Sequence, residues 1–134
     1  IDDQINASGL SGFYESTLSE IKGKNGSLFL FAGLRSNPES IKSMEGIDIV
    51  WAEESNTISK HSLDLLIPTI RKDKSEIWFT WNPESESDPV DKMFRSESPP
   101  PDSIIQEVHY FDNPLRKKLL KMQRHLVLLR TKKK

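Results

Sequence analysis

Glu53 and Glu54 stand side by side at the end of the apolar run IDIVWA, residues 47–52. A strand ending in two adjacent carboxylates can hold a hard cation with one acid and orient or deprotonate a water with the other. Mg²⁺ takes oxygen ligands and keeps several waters, so one or two carboxylates plus nucleotide phosphates are enough. A second apolar run, EIWFTW at 76–81, ends in Thr80-Trp81-Asn82. A hydroxyl or amide at a neighbouring strand tip can hydrogen-bond a γ-phosphate or the attacking water. Together they have the form of a Walker B strand beside a sensor. The same pattern also describes two acids that merely face solvent where a strand meets a loop, and the pattern alone does not choose between the two.

These groups need a scaffold. Between the two runs, Ser59 is a candidate N-cap for a helix whose Leu63, Leu66, Ile67 and Ile70 face the core, with Pro68 kinking or ending it. Strand, helix, strand at this spacing is a βαβ unit and predicts a largely parallel sheet, with ligands bound beyond the carboxyl ends of the strands. SIIQEVHY, 103–110, is a further strand after Pro99-Pro100-Pro101. Upstream, residues 1–12 read as the last turns of a helix released at Gly9 and Gly12. Asn25-Gly26 marks a hairpin between YESTLSEIK and SLFLFAG. Leu28, Leu30 and Ala32 alternate with Phe29 and Phe31, which predicts a strand inside its sheet. Asn37-Pro38 opens a short helical turn closed by Gly46.

At the other end, Asn113-Pro114 reads as a helix start. Leu115, Leu119, Met122, Leu126 and Leu129 make one amphipathic stripe at steps of four and three. We therefore expect two parts, an α/β unit over 1–112 and a basic amphipathic helix over 113–134.

Composition points to one ordinary soluble domain. The 134 residues are 35% hydrophobic and 29% charged, so a core can form without a staple. With no cysteine, zinc ribbons, thiol catalysis and disulfide frameworks are excluded. No apolar run approaches the ~20 residues of a membrane helix. The net charge of −1 conceals a division: all 20 acids lie between Asp2 and Asp112 beside 10 Lys and Arg, while the last 20 residues hold 9 Lys and Arg and no acid. His61, His109 and His125 are too scattered for a metal site, and Trp51, Trp78 and Trp81 read as core.

Residues 29–90 resemble the ATPase domain of tailed-phage terminase large subunits, the motors that package DNA into procapsids. The resemblance rests on GLRSNP, the IKS-x-EG turn, the W-x-EE form of Walker B and the SEIWFTWNP strand, and YFDNP at 110–114 extends it. It implies a partial RecA-like (P-loop NTPase) fold, mostly parallel, with a β-hairpin and flanking helices. It further implies ATP with Mg²⁺, Glu53 as the Mg²⁺-side acid acting through water, and Glu54 as the catalytic carboxylate. Asn82, with Thr80 nearby, falls on the coupling motif that links γ-phosphate state to domain movement. The implied partners are double-stranded phage DNA, a portal protein and a small terminase subunit, around a homo-oligomeric ring in the host cytoplasm. Related motors carry a trans-acting basic residue before the Walker B strand. Lys42 occupies that place but lacks the bidentate fork of Arg, and Arg35 competes with it.

The chain also departs from the pattern. None of its six glycines fits the G-x-x-x-x-G-K-[ST] of a P-loop, so we expect these residues alone to be inactive as an ATPase. After YFDNP the sequence reads as divergent, as in a truncated or frame-shifted prophage gene. Lys117, Lys118, Lys121 and Arg124 could contact nucleic-acid phosphates, which gives a second reading as a non-enzymatic nucleic-acid or partner-binding remnant. A solvated amphipathic helix is the reading the pattern favours, because the charges surround the stripe instead of forming one face. A two-metal nuclease using Glu53 and Glu54 would need further acids at defined positions.

Overall fold

The computed structural model describes residues 1–112 and 126–132, in two compact units, Ile1–Gly33 and Leu34–Lys134. The first unit holds helix α1 (Asp2–Ala7) and an antiparallel sheet of β1 (Tyr14–Ser16), β2 (Glu20–Gly23) and β3 (Leu28–Leu30), ordered β1-β2-β3. The Asn25-Gly26 hairpin forms as expected: Gly26 has φ of +87°, and Asn25 Oδ1 accepts from the Ser27 amide at 3.1 Å. YESTLSEIK divides into β1 and β2 because Thr17 Oγ1 accepts from the amides of Ser19 and Glu20 and turns the chain between them. The LFL run is not an interior strand. It forms the edge strand β3, and Leu28, Phe29 and Leu30 are all exposed.

The second unit begins with a 3₁₀ turn at Pro38–Ser43, opened by Asn37-Pro38, and its one buried residue is Ile41. Strand β4 (Ile49–Ala52) leads into a short 3₁₀ turn (Ser55–Thr57), helix α2 (Lys60–Thr69) and β5 (Glu76–Trp81). The α2 boundary follows from its cap: Ser59 Oγ accepts from the Ser62 amide at 3.1 Å, satisfying an N–H that the first turn leaves orphaned. Pro68 is accommodated in the last turn. Helix α3 (Pro89–Phe94) and strand β6 (Ser103–Val108) follow.

Residues 126–132 form strand β7, not the end of a helix. The leucine spacing of three and four coincides here with a continuous LVLL run, which fits a strand paired on both sides. β7 lies between β5 and β6, antiparallel to both, with Phe79 opposite Leu129 and Ile105 opposite the same residue. The basic residues Lys117, Lys118, Lys121 and Arg124 and the start of the expected helix lie outside the described residues.

The sheet order is β4-β5-β7-β6, and β4–β5 is its one parallel pair among the described residues. The expected βαβ unit is therefore present, whereas a mostly parallel sheet is not: the α/β fold is mixed. Ile77, Phe79 and Trp81 turn inward from β5 and pack with Ala52, Ile58, Leu63, Leu66, Ile70, Val90 and Phe94 into one core. Phe94 of α3 meets Phe79 and Trp81 at centroid distances of 5.3 and 6.3 Å. Helices α2 and α3 thus contribute to this face. The opposite face carries Ile49, Trp51 and Ile104, all more than half exposed. No described helix is long and apolar enough to cross a membrane.

Candidate functional site at the carboxyl ends of the parallel strands

The β4–β5 register aligns Ile49 with Glu76 and Ala52 with Phe79. Glu53 and Glu54 follow the carboxyl end of β4, and Thr80, Trp81 and Asn82 stand at the carboxyl end of β5. The two groups singled out in the sequence are therefore brought to one end of the only parallel pair described, where an open α/β sheet binds its ligands. Both carboxylates are exposed.

Glu54 has φ of +49° and ψ of +46°, in the left-handed region. For a residue with a Cβ this conformation costs on the order of 1–2 kcal/mol, so the surroundings must enforce it. They do so through the next turn: the Glu54 carbonyl accepts from the Thr57 amide at 3.2 Å and the Thr57 hydroxyl at 3.1 Å. Ser55, fully buried, donates its hydroxyl to the Ala52 carbonyl at 2.6 Å. The strand thus ends in a hydrogen-bonded turn that carries Glu54.

On β5, Thr80 is buried and accepts a hydrogen bond from Trp51 Nε1 at 3.1 Å. Asn82 Oδ1 is buried and has no hydrogen-bond partner among the described residues. An unpaired buried carbonyl oxygen costs about 1–3 kcal/mol, and its place at the strand tip fits a position where a ligand or bound water supplies the missing donor. Two carboxylates with a neighbouring amide form the sparse oxygen donor set that suits a Mg²⁺ ion sharing its ligands with phosphates. No three His, Asp or Glu side chains converge into a metal cluster among the described residues.

Two supporting residues escaped the sequence reading. Asp91 of α3 is buried, and its Oδ1 accepts from Trp81 Nε1 and from Arg95 Nη1, each at 3.2 Å. This fixes α3 against the residue preceding Asn82. Its only sequence signal is the i,i+4 spacing of Asp91 and Arg95. Ser55 is the other, and its signal was its place directly after the acid pair. The tryptophan expectation divides: Trp81 is core, Trp78 is half-buried and donates to Glu76 Oε2 at 2.9 Å, and Trp51 is 65% exposed.

Lys42 and Arg35 are not assembled with the acids. Arg35 lies exposed in a turn. Lys42 Nζ pairs with Glu39 Oε2 at 2.5 Å, and this hydrogen bond holds the Glu39 carboxyl below the usual carboxylate range, with His61 adding a weaker pull. With Met44, Glu45, Pro68, Thr69 and Arg71, Lys42 lines a shallow depression of about 240 Å³ near the start of β4, at the end opposite Glu53.

The described residues make a mixed α/β protein whose strand-end acids mark a candidate site at the tips of its parallel pair. The chain belongs to the phage terminase large subunit family, whose model matches residues 1–132. The match runs through residues 113–132, so the expectation that the sequence leaves the family after YFDNP is not upheld. No curated protein gives a significant match to the chain. The family gives the chain a role in phage DNA packaging.

Proposed function

We propose that these residues form the Walker B and coupling part of an ATP-driven motor that moves double-stranded phage DNA into procapsids. The observation supporting this reading is the parallel pairing of β4 and β5, because the acid pair follows one strand and Thr80 and Asn82 end the other at the same margin. Bound Mg²⁺ would supply charge neutralisation of the transferring phosphoryl group. Glu53, continuing β4, would hold that ion through water. Glu54, turned by its left-handed backbone, would take a different direction and orient the attacking water. Asn82, whose Oδ1 lacks a donor, would report on what occupies the site. A RecA-like parent fold, a subunit ring, a portal and a small terminase subunit, and action in the host cytoplasm belong to the same proposal. So does a trans-acting role for Lys42 or Arg35 toward a neighbouring subunit.

The chain contains no P-loop sequence, so the proposal assigns to these residues the acid pair and the sensor, not the phosphate cradle. The purified 134 residues should therefore show no appreciable Mg²⁺-dependent ATP turnover; turnover abolished by Glu54→Gln would overturn that assignment. Metal placement can be tested without turnover. Mn²⁺ added to the ¹⁵N-labelled chain should broaden the amide signals of residues 53–54 and 80–82 first, and Glu53→Gln with Glu54→Gln should remove the effect. Broadening centred on other acids would sink the reading.

A further inference from the structure

The pairing of β4 with β5 ends at Ala52 opposite Phe79, so Thr80, Trp81 and Asn82 run on beyond the last paired residue of the strand that leads to the acids. Strand β7 stays paired with β5 as far as Trp81, but on the side away from β4. Helix α3 links the two tips. Its Asp91 is 4% exposed, and Oδ1 accepts from Trp81 Nε1 and Arg95 Nη1, each at 3.2 Å, while Phe94 packs on the same indole. The helix also lies against the Ser55–Thr57 turn, as does β5 itself. That turn is bonded to the end of β4 and to the acid pair: Ser55 Oγ donates to the Ala52 carbonyl, and Thr57 donates its amide and its hydroxyl to the Glu54 carbonyl. A continuous run of observed contacts therefore leads from Glu54 through the turn and α3 to Trp81, the residue before Asn82.

We infer that Asp91 is a positioning residue: by holding the Trp81 indole it sets the tip of β5, and Asn82 with it, at a fixed distance from the turn that carries the acids. This rests on the reading of Glu53 and Glu54 as the metal-binding pair and of Asn82 as the sensor. Burying a carboxylate is costly unless it is paired and hydrogen-bonded, and both conditions are met here. What the group adds to packing is direction. An indole N–H can only donate, and an acceptor held by Arg95 gives it one place to do so. A sensor amide works only at a set distance from the occupant it reports, and looseness of about 1 Å is enough to spoil such a site.

The experiment adds Mn²⁺ alone to the ¹⁵N-labelled full 134-residue chain, with each variant kept where a urea titration shows it folded. Broadening by the ion varies as the inverse sixth power of distance. The broadening at residues 80–82 divided by that at 53–54 therefore reports the placement of the strand tip relative to the acids, independently of how much metal is bound. Trp81→Phe keeps a ring in the core and removes the donor, and Asp91→Ala removes the acceptor. Each should change the ratio at least about twofold, through a displacement of about 1 Å. Asp91→Asn keeps an acceptor oxygen and should stay near the parent ratio. Phe94→Leu loosens the packing of α3 but leaves the hydrogen bond, so it should lower the urea midpoint with little change in the ratio. If Trp81→Phe keeps the parent ratio, or if Asp91→Asn or Phe94→Leu moves it as far as Asp91→Ala does, Asp91 only stabilises the fold and the site reading stands without it. If Mn²⁺ broadens neither 53–54 nor 80–82 in the parent chain, the site reading itself fails and the positioning role with it.

Discussion

Glu54 combines a carboxylate with a backbone conformation that few side chains adopt. Residues held in such regions cluster at functional sites, where the surroundings enforce them. The strain is testable at the residue itself. Glycine relieves a left-handed cost of about 1–2 kcal/mol but loses up to about 1 kcal/mol more chain entropy on folding. Glu54→Gly should thus stabilise the chain by roughly 0.5–1 kcal/mol, read as a raised urea midpoint with unchanged slope. A lowered midpoint would mean that the Glu54 side chain contributes to stability as well as to the site. The acid pair and Asn82 were legible from their types and places at the ends of apolar runs. The left-handed turn was not, because Glu carries no conformational signature of the kind Gly26 does.

At the scale of elements, local chemistry decided which boundaries could be read. The α2 start was legible because a serine cap precedes an apolar period, and β5 was legible because EIWFTW is bounded by a polar loop and Asn82-Pro83. Strand β7 was not, since its leucines satisfy a helical period and a strand run at once, and only pairing to β5 and β6 resolves the ambiguity. Helix α3 was missed because six residues are too few for periodicity. Its anchor can be tested instead. Asp91→Ala should leave the buried Trp81 N–H unpaired and cost about 2–3 kcal/mol, measured by urea unfolding; a cost below about 0.5 kcal/mol would show that water replaces the carboxylate. The Glu39–Lys42 pair adds a pH effect with a definite sign. The Glu39 pKa is lowered in the folded state, so the pair's contribution is complete at neutral pH and is lost as pH falls through that lowered value. As both groups are largely exposed, this is a small effect.

For the whole molecule, the charge division acquires a structural meaning. The basic end of the chain is not an appendage: residues 126–132 supply the strand that joins β5 to β6, and the family match covers them. Ending the chain at residue 125 should therefore separate β6 and expose the inward edge of β5, giving loss of cooperative unfolding in a urea titration followed by circular dichroism. A solvated terminal helix would be removed at almost no cost. Parallel pairing was foreseen for the segment that matters to the site and wrongly extended to the rest, because a βαβ spacing specifies only its own two strands.

The outer position of β4 carries one last implication. Among the described residues no strand pairs with its far edge, so a row of backbone amides and carbonyls faces outward along the segment that runs into Glu53. Backbone groups recognise any extended chain of suitable direction, whatever its side chains. A segment laid against β4 would bear directly on the polypeptide that carries the acid pair, making the sheet margin a mechanical handle on the site.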